Sequence, residues 1–221
     1  MLAKILHRAA SHPIVYDLIQ RLAGAARTRH FLAASIAPWS DGVSVVLDIG
    51  GGTGIYRSIW RNDLLYICLD LDPMKIAGFS RKHPKDRACL ADAALAPFLA
   101  GSVDAVICTF VAHHLPDELL ERVLSESSRI LSPTGVFVFV DPVWSPYRWT
   151  GRLLWKYDRG AFPRTAQKLQ QMISECFQII RQEKFAIWHE YWTCIARPDK
   201  TGRVSGENTL MHRSEPMAWR R

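Results

Sequence analysis

A doubly wound, Rossmann-like α/β sheet, mostly parallel and with helices on both faces, is the fold this sequence predicts. Three observations predict it. Short, continuously apolar and β-branched runs recur at residues 43–49, 65–69, 88–90, 103–110 and 136–140, as expected of strands buried on both faces. Segments with helical spacing of apolar residues separate them, and strand–helix alternation implies a parallel sheet. Near the end, two β-rich stretches at 177–187 and 191–196 lie too close together for a helical crossover, so they should pair as an antiparallel hairpin.

Each element has its own local reason. Ser11-His12-Pro13 resembles a helix start, with a capping hydroxyl and a proline suited to the first turn. Ile14, Val15, Leu18, Ile19 and Leu22 carry that helix towards Ala26, and a second runs towards Ile36. Pro73 opens a short helix reaching about His83, with Asp72 as its cap. Pro116-Asp117-Glu118 opens the next, with acids at its positive end. Leu120, Val123, Leu124, Ile130 and Leu131 form its buried face, and Ser132-Pro133-Thr134-Gly135 stops it. Asp104 is expected to tether backbone at the start of the fourth strand. A last helix, 165–176, turns Leu169, Met172 and Ile173 inward. From Arg197 onward proline, glycine and polar residues predict a mobile tail. The expected organisation is one domain over 1–197, with amino-terminal helices over 1–40, a helical acceptor lid over 144–176, and a polar tail over 198–221.

Composition narrows the function classes. With 48% hydrophobic and 22% charged residues the chain reads as globular, not disordered. No apolar run is long enough to span a bilayer, and the start lacks the features of a signal peptide; a cytoplasmic location is expected. Cysteines at 68, 89, 108, 176 and 194 form no CxxC pair, which favours buried reduced thiols over zinc or disulfides. No carboxylate cluster argues for a metal. The net charge of +7 is spread without a dense Lys/Arg block, so it argues for solvated surface and against a nucleic-acid partner.

The chemistry concentrates in Val46-Leu47-Asp48-Ile49-Gly50-Gly51-Gly52-Thr53-Gly54 at the end of the first strand. Glycines permit a tight turn and a close ligand approach, and a helix expected to follow would offer its free amides to an anionic group. A dinucleotide fingerprint would need a third glycine where Ile55 stands. Asp48 puts a carboxylate under the turn. Asp70 ends the second strand, where an acid can accept both ribose hydroxyls of an adenosine. Asp92, beyond the third strand, is placed to accept from an adenine amino group, with Leu71 and Ala93 as apolar walls.

Together these segments resemble the class I S-adenosylmethionine-dependent methyltransferases, over roughly residues 16–196. VLDIGGGTG is similar to the family's glycine-rich cofactor motif and CLDLDP to its ribose-binding strand end. ADAALAPFLAGSVDAV, TFVAHHLPD and ILSPTGVFVFVDP follow in the family's order and spacing. Two departures are a glycine, Gly51, where the family usually has Cys or Ser, and Val103 where it often has Phe. The resemblance implies a seven-stranded sheet with a reversed last strand, S-adenosylmethionine as cofactor, and Tyr16 of a Tyr16-Asp17 element near its methionine end. The implied cofactor set is Tyr16, Asp48, Gly50, Gly52, Asp70, Leu71, Asp92 and Ala93.

The acceptor should face the carboxyl ends of strands one, four and five. There His113 or His114 is the candidate base for an acceptor proton, His113 being favoured. Asp141 either orients such a base, binds substrate or anchors a loop. Residues 144–164 interleave Trp144, Tyr147, Trp149, Trp155, Tyr157 and Phe162 with Arg148, Arg152, Lys156, Arg159 and Arg164. That mixture suits a lid over a planar or amphipathic acceptor, or peripheral docking on an anionic membrane. Methyl transfer to a small molecule such as a secondary metabolite, quinone or lipid is the leading expectation. A membrane-lipid or nucleic-acid acceptor, and a relative that binds the cofactor without methylating, are the alternatives. A nicotinamide oxidoreductase is disfavoured by Ile55.

Overall fold

Seven strands are present in the computed structural model, which describes residues 17, 24–157 and 162–199. They are β1 (Val45–Ile49), β2 (Leu65–Asp70), β3 (Arg87–Leu90), β4 (Val103–Thr109), β5 (Leu131–Val143), β6 (Phe177–Ala186) and β7 (Glu190–Pro198). They form one sheet in the order β3-β2-β1-β4-β5-β7-β6. The first five pair in parallel; β7 runs antiparallel between β5 and β6. The reversed last strand and the hairpin are therefore as the sequence predicts. The expected helix from Ser11, the role expected of Tyr16, Arg159, and residues 200–221 of the tail lie outside the described residues; the tail expected from Arg197 begins later, because β7 pairs Arg197 and Pro198 with β6.

Helices cover both faces. On one face α1 (Ala25–Ile36) and α2 (Pro73–Lys82) bury Leu32, Ile36 and Phe79 against Val46, Tyr66, Ile107 and Val138. On the other, α3 (Asp117–Ile130) and α5 (Ala166–Ser174) bury Leu120, Leu124, Leu169 and Met172 against Leu47, Val106 and Phe137. Between β5 and α5 lies α4 (Trp149–Tyr157). Alternate residues of each central strand thus serve opposite cores, which is why these strands read as unbroken apolar runs.

Local tethers explain the boundaries. Asp104 Oδ2 accepts from the amides of Ser44 and Val45, each at 3.0 Å, and holds the start of β1 to β4. Asp72 caps α2 by accepting from the Met74 amide at 2.9 Å, and Thr165 Oγ1 caps α5 through the Lys168 amide. β5 is longer than expected. Its start pairs Leu131 with Val103 ahead of a register shift, and its end, 141–143, pairs with 190–192 of β7.

Strand order reverses between β1 and β4, so the crevice of a doubly wound sheet opens beyond their carboxyl ends. The chain leaves β4 through Phe110, whose φ of +59° is rare for a side-chain-bearing residue. That conformation accompanies ring packing between Tyr56 and Tyr191 at centroid distances of 5.9 and 5.6 Å.

Candidate active site at the β1–β4 switch point

The glycine loop is folded around two carboxylates. Asp70 Oδ2 accepts from the Gly52 amide at 3.0 Å and Oδ1 from the Asp72 amide at 2.9 Å, while Lys75 Nζ stands 3.9 Å away. Asp48 is fully buried beneath the loop, where its Oδ2 accepts the Tyr66 hydroxyl at 2.6 Å. Its Oδ1 has no hydrogen-bond partner among the described residues. Burial pushes the Asp48 carboxyl up to about 7, opposed by the Tyr66 bond and reinforced by the charge of Asp70. The same burial and the Asp48 charge raise the Tyr66 hydroxyl well above its ordinary value, so Tyr66 is the donor.

Two glycines are required by close approach. A Cβ on Gly50, where φ is +65°, would collide with the Val111 Cγ2 methyl; this contact joins the glycine loop to the turn after β4. A Cβ on Gly51 would lie 2.5 Å from Asp48 Oδ2 and 2.8 Å from Cys68 Sγ. Gly51, a departure from the resembled motif, is thus the residue that lets Asp48 and Cys68 pack directly under the backbone.

The helix expected after the glycines is absent. Residues 50–56 form successive turns, followed by a three-residue 3-10 helix, Arg57–Ile59. Positive φ values at Gly50, Gly52 and Gly54 (+65°, +59° and +77°) are incompatible with a right-handed helix. The amides expected to hold an anion are also consumed internally. Gly50 and Gly51 donate to the Leu69 carbonyl, Gly52 to Asp70, and Gly54 to the Gly51 carbonyl. With two acids under it and no helix dipole, the loop fits a cationic group far better than a pyrophosphate. The orphaned Asp48 oxygen is the polar atom such a cation would satisfy.

At neighbouring strand ends, Asp92 follows two residues after Leu90, the register partner of Asp70. Asp92 Oδ1 accepts from the Ala94 amide at 2.9 Å and caps the short 3-10 turn Ala93–Leu95. Ala93 is half-buried, and Leu71, in the turn after β2, is exposed. From the amino-terminal side, Asp17 reaches the loop: Thr53 Oγ1 donates to Asp17 Oδ1 at 2.5 Å, and Lys82 pairs with its other oxygen.

Across the crevice, His113 and Asp141 form one unit. His113 Nδ1 is 2.8 Å from Asp141 Oδ1, and the His113 amide donates to Asp141 Oδ2 at 2.8 Å. Both are buried. Burial raises the Asp141 carboxyl above its ordinary value, against the lowering effect of His113. Asp141 therefore both orients the ring and anchors the turn carrying it. The exposed His114 ring lies 4.0 Å from that of His113.

The helix α4 crosses this unit. Trp155 of α4 meets the His113 and His189 rings edge to face at 6.0 and 5.0 Å. The amino-terminal end of α4 is tied to the β6–β7 turn, where Arg148 donates to the Ile187 and Trp188 carbonyls and Thr150 to Trp188. At its return the chain is clamped by buried Arg164, which donates to the carbonyls of Ala112 and Leu115 at 2.7 and 2.6 Å and pairs with Asp117. The Phe162 amide donates to the His113 carbonyl.

Tyr66, Phe110, His189 and Tyr191 carry no signal named in the sequence, and Arg164 is named there only as one of the cations of residues 144–164. A tyrosine two positions before Cys68 in a buried strand is a usable signal for Tyr66, since its hydroxyl needs a partner. Arg164 answers main-chain carbonyls about fifty residues away, which leave no mark in a sequence. Among the described residues no group of three or more His, Cys, Asp or Glu side chains is arranged to hold a metal ion.

Residues 47–139 match the family model for the methyltransferase domain. An uncharacterized methyltransferase from Mycobacterium sp. (strain JLS) is 32% identical over 106 residues, covering 48% of this chain and 41% of that protein. The chain thus spans about two fifths of the length of the curated relatives it matches. The PH0226 protein of Pyrococcus horikoshii OT3 superposes with a TM-score of 0.67 at 17% identity, covering 78% of this chain and 91% of that one. Geranyl diphosphate C-methyltransferase from Streptomyces coelicolor A3(2), in a complex containing S-adenosyl-L-homocysteine, gives 0.63 at 12% identity, with 76% of each chain covered.

Proposed function

We propose that the chain is a class I S-adenosylmethionine-dependent methyltransferase, a reading supported by the matched methyltransferase domain model and relatives, and that it transfers the methyl group of that cofactor to a small-molecule acceptor held under α4. The observation that carries this reading is the glycine loop, whose amides are spent internally while Asp48 and Asp70 are buried against it. When bound, S-adenosylmethionine supplies an electrophilic methyl group on a sulfonium. Asp70 is the residue for the ribose hydroxyls and Asp92 for the adenine amino group, with Leu71 and Ala93 alongside. Asp48 offers its unpartnered oxygen to the ammonium group, and Gly50 and Gly52 keep the loop thin enough for close approach. Tyr16 is proposed at the methionine end.

Transfer from a sulfonium is an in-line displacement, so the chain's main tasks are alignment and exclusion of water. Where the acceptor is a hydroxyl or an ammonium, its proton must also be removed. With Asp141 ionised, His113 carries its own proton on Nδ1, and Nε2 is the nitrogen that takes the acceptor's. The buried Asp141 carboxylate then stabilises the imidazolium. His114 is the second candidate for the same task.

A lipid-borne acceptor is the second reading, favoured by the exposed apolar face of α4. The test is incubation with methyl-labelled cofactor and a small-molecule extract, using wild-type protein and His113→Ala. Label in a low-molecular-weight product, lost or strongly reduced in the variant, is expected. Label appearing in nucleic acid or protein instead would contradict the reading.

A further inference from the structure

The helix α4 has an unusual distribution of side chains. Gly151 packs on His189 and Trp155 on His113, so positions 151 and 155 face inward. Trp149 and Leu153, also four apart, lie on the opposite side. They are 73% and 53% exposed. Tyr147, just before the helix, is 96% exposed, and Trp188, in the turn to which Arg148 and Thr150 tie the helix, is 53% exposed. A contiguous band of tryptophan, tyrosine and leucine thus faces away from the protein. Single exposed apolar residues are ordinary, but a rimmed cluster of this kind marks an interaction surface.

The flank of this band is basic. Arg152 is exposed on α4, between Trp149 and Leu153 in the helix, and Arg148 is half-exposed. Gly24 of the segment entering α1 abuts Ile187, the neighbour of Trp188, and Arg27 is exposed one turn further on. Between positions 144 and 157 there is no acidic residue, and the whole chain carries +7. Tryptophan and tyrosine beside leucine and arginine is the composition that suits the boundary between lipid headgroups and acyl chains. A second copy of the chain fits less well, because a two-fold contact would bring the arginines of both copies together. Nucleic acid is met chiefly by Lys and Arg on its phosphates, whereas this band is mostly apolar. The nine residues of α4 extend only about 14 Å, which fits a helix lying on a surface. No helix among the described residues is long and apolar enough to cross a membrane.

We propose that the outer face of α4, with Tyr147 and Trp188, docks on an anionic phospholipid bilayer and brings the lid over His113 to the membrane surface. For its consequence, the delivery of a bilayer-dissolved acceptor to the crevice, this rests on the methyl-transfer reading above.

The experiment is co-sedimentation of the full chain with vesicles of phosphatidylcholine alone or with about 30 mol% phosphatidylglycerol. Binding of S-adenosylhomocysteine is measured on the same samples. The expected result is sedimentation with the anionic vesicles, weakened by salt. Trp149→Ser with Leu153→Ser should lower the partition about tenfold or more, and Arg152→Glu should reduce the preference for phosphatidylglycerol. Both should retain wild-type affinity for S-adenosylhomocysteine, which reports that the fold is intact. Failure of the wild type to sediment, or equal sedimentation of the wild type and the double variant, overturns the proposal. So does a dimer that the double variant dissociates, or RNA that displaces the vesicles through the same residues. Loss of S-adenosylhomocysteine binding in the wild type would instead count against the methyl-transfer reading and leave the docking result to stand by itself.

Discussion

Asp141 holds His113 with both of its carboxylate oxygens, one on the ring Nδ1 and one on the backbone amide, each at 2.8 Å. Because the same acid fixes the side chain and the turn that carries it, its removal should act on proton transfer more than on cofactor binding. Asp141→Asn keeps the size and one acceptor, but no longer stabilises an imidazolium. Turnover with an acceptor that must lose a proton should fall about 100-fold or more, while affinity for S-adenosylhomocysteine changes by less than about threefold. Steady-state kinetics beside calorimetry checks this, and equal losses in both would reassign Asp141 to a structural role.

Asp48 should leave a signature in the pH dependence of stability. Its folded-state pKa is about 7, above an unfolded value near 3.8, so the folded state holds the proton more tightly. The contribution is therefore fully present below about pH 4, declines as pH rises towards 7, and changes no further above that. Asp48→Asn removes this decline. The difference between variant and wild-type unfolding free energies should grow in favour of the variant from pH 4 to 7, by up to about 4 kcal/mol. Urea unfolding at several pH values measures it; a constant difference would mean that Asp48 is ionised throughout.

Gly50 combines a positive φ with the Val111 contact. Gly50→Ala should cost about 1–3 kcal/mol for the backbone conformation alone, with a further loss from the collision. Adding Val111→Ala should recover the second part and not the first. Thermal unfolding of the two single variants and the double variant gives the coupling. Strict additivity would mean that the two residues do not press on one another.

Arg164 is a buried fork whose donors satisfy the Ala112 and Leu115 carbonyls. Its replacement by Ala leaves those carbonyls without the guanidinium and frees the segment returning from α4, for an expected loss of about 2–3 kcal/mol. Lysine, a single ammonium instead of a planar fork, should restore only part of this. Asp117 is half-exposed, and the Arg164 bond holds its carboxyl below the ordinary range. Asp117→Asn should therefore cost under about 1 kcal/mol. Chemical denaturation separates the three, and an Asp117 effect as large as that of Arg164 would contradict the ranking.

Much of the sheet was legible because β1, β2 and β4 are buried on both faces and so appear as unbroken apolar runs. The hairpin was legible because three residues between β-rich stretches leave no room for a crossover. The region after Gly54 was not: a helix-opening glycine turn and a chain of turns begin with the same residues. What distinguishes them is the sign of φ at Gly50, Gly52 and Gly54 and the capture of their amides by Leu69 and Asp70. Asp48, Asp70, His113 and Asp141 could be named from their positions at strand ends. The bond between His113 and Asp141, 28 residues apart, depends on where the turn after β4 meets the end of β5. The inward turn of Trp155 and the outward turn of Trp149 follow from how α4 sits on the β6–β7 turn, which periodicity in so mixed a segment does not reveal.

The glycine loop, Asp48 and Asp70 are proposed to form a site for an adenosyl sulfonium cofactor and not for a dinucleotide. Isothermal titration of wild-type protein and Asp70→Ala with S-adenosylhomocysteine, with NAD as the control ligand, tests it most directly. Micromolar binding of S-adenosylhomocysteine to the wild type is expected, with a loss of about tenfold or more in the variant and no detectable binding of NAD. Binding of NAD at comparable affinity, or of neither ligand by a folded wild-type protein, would contradict it.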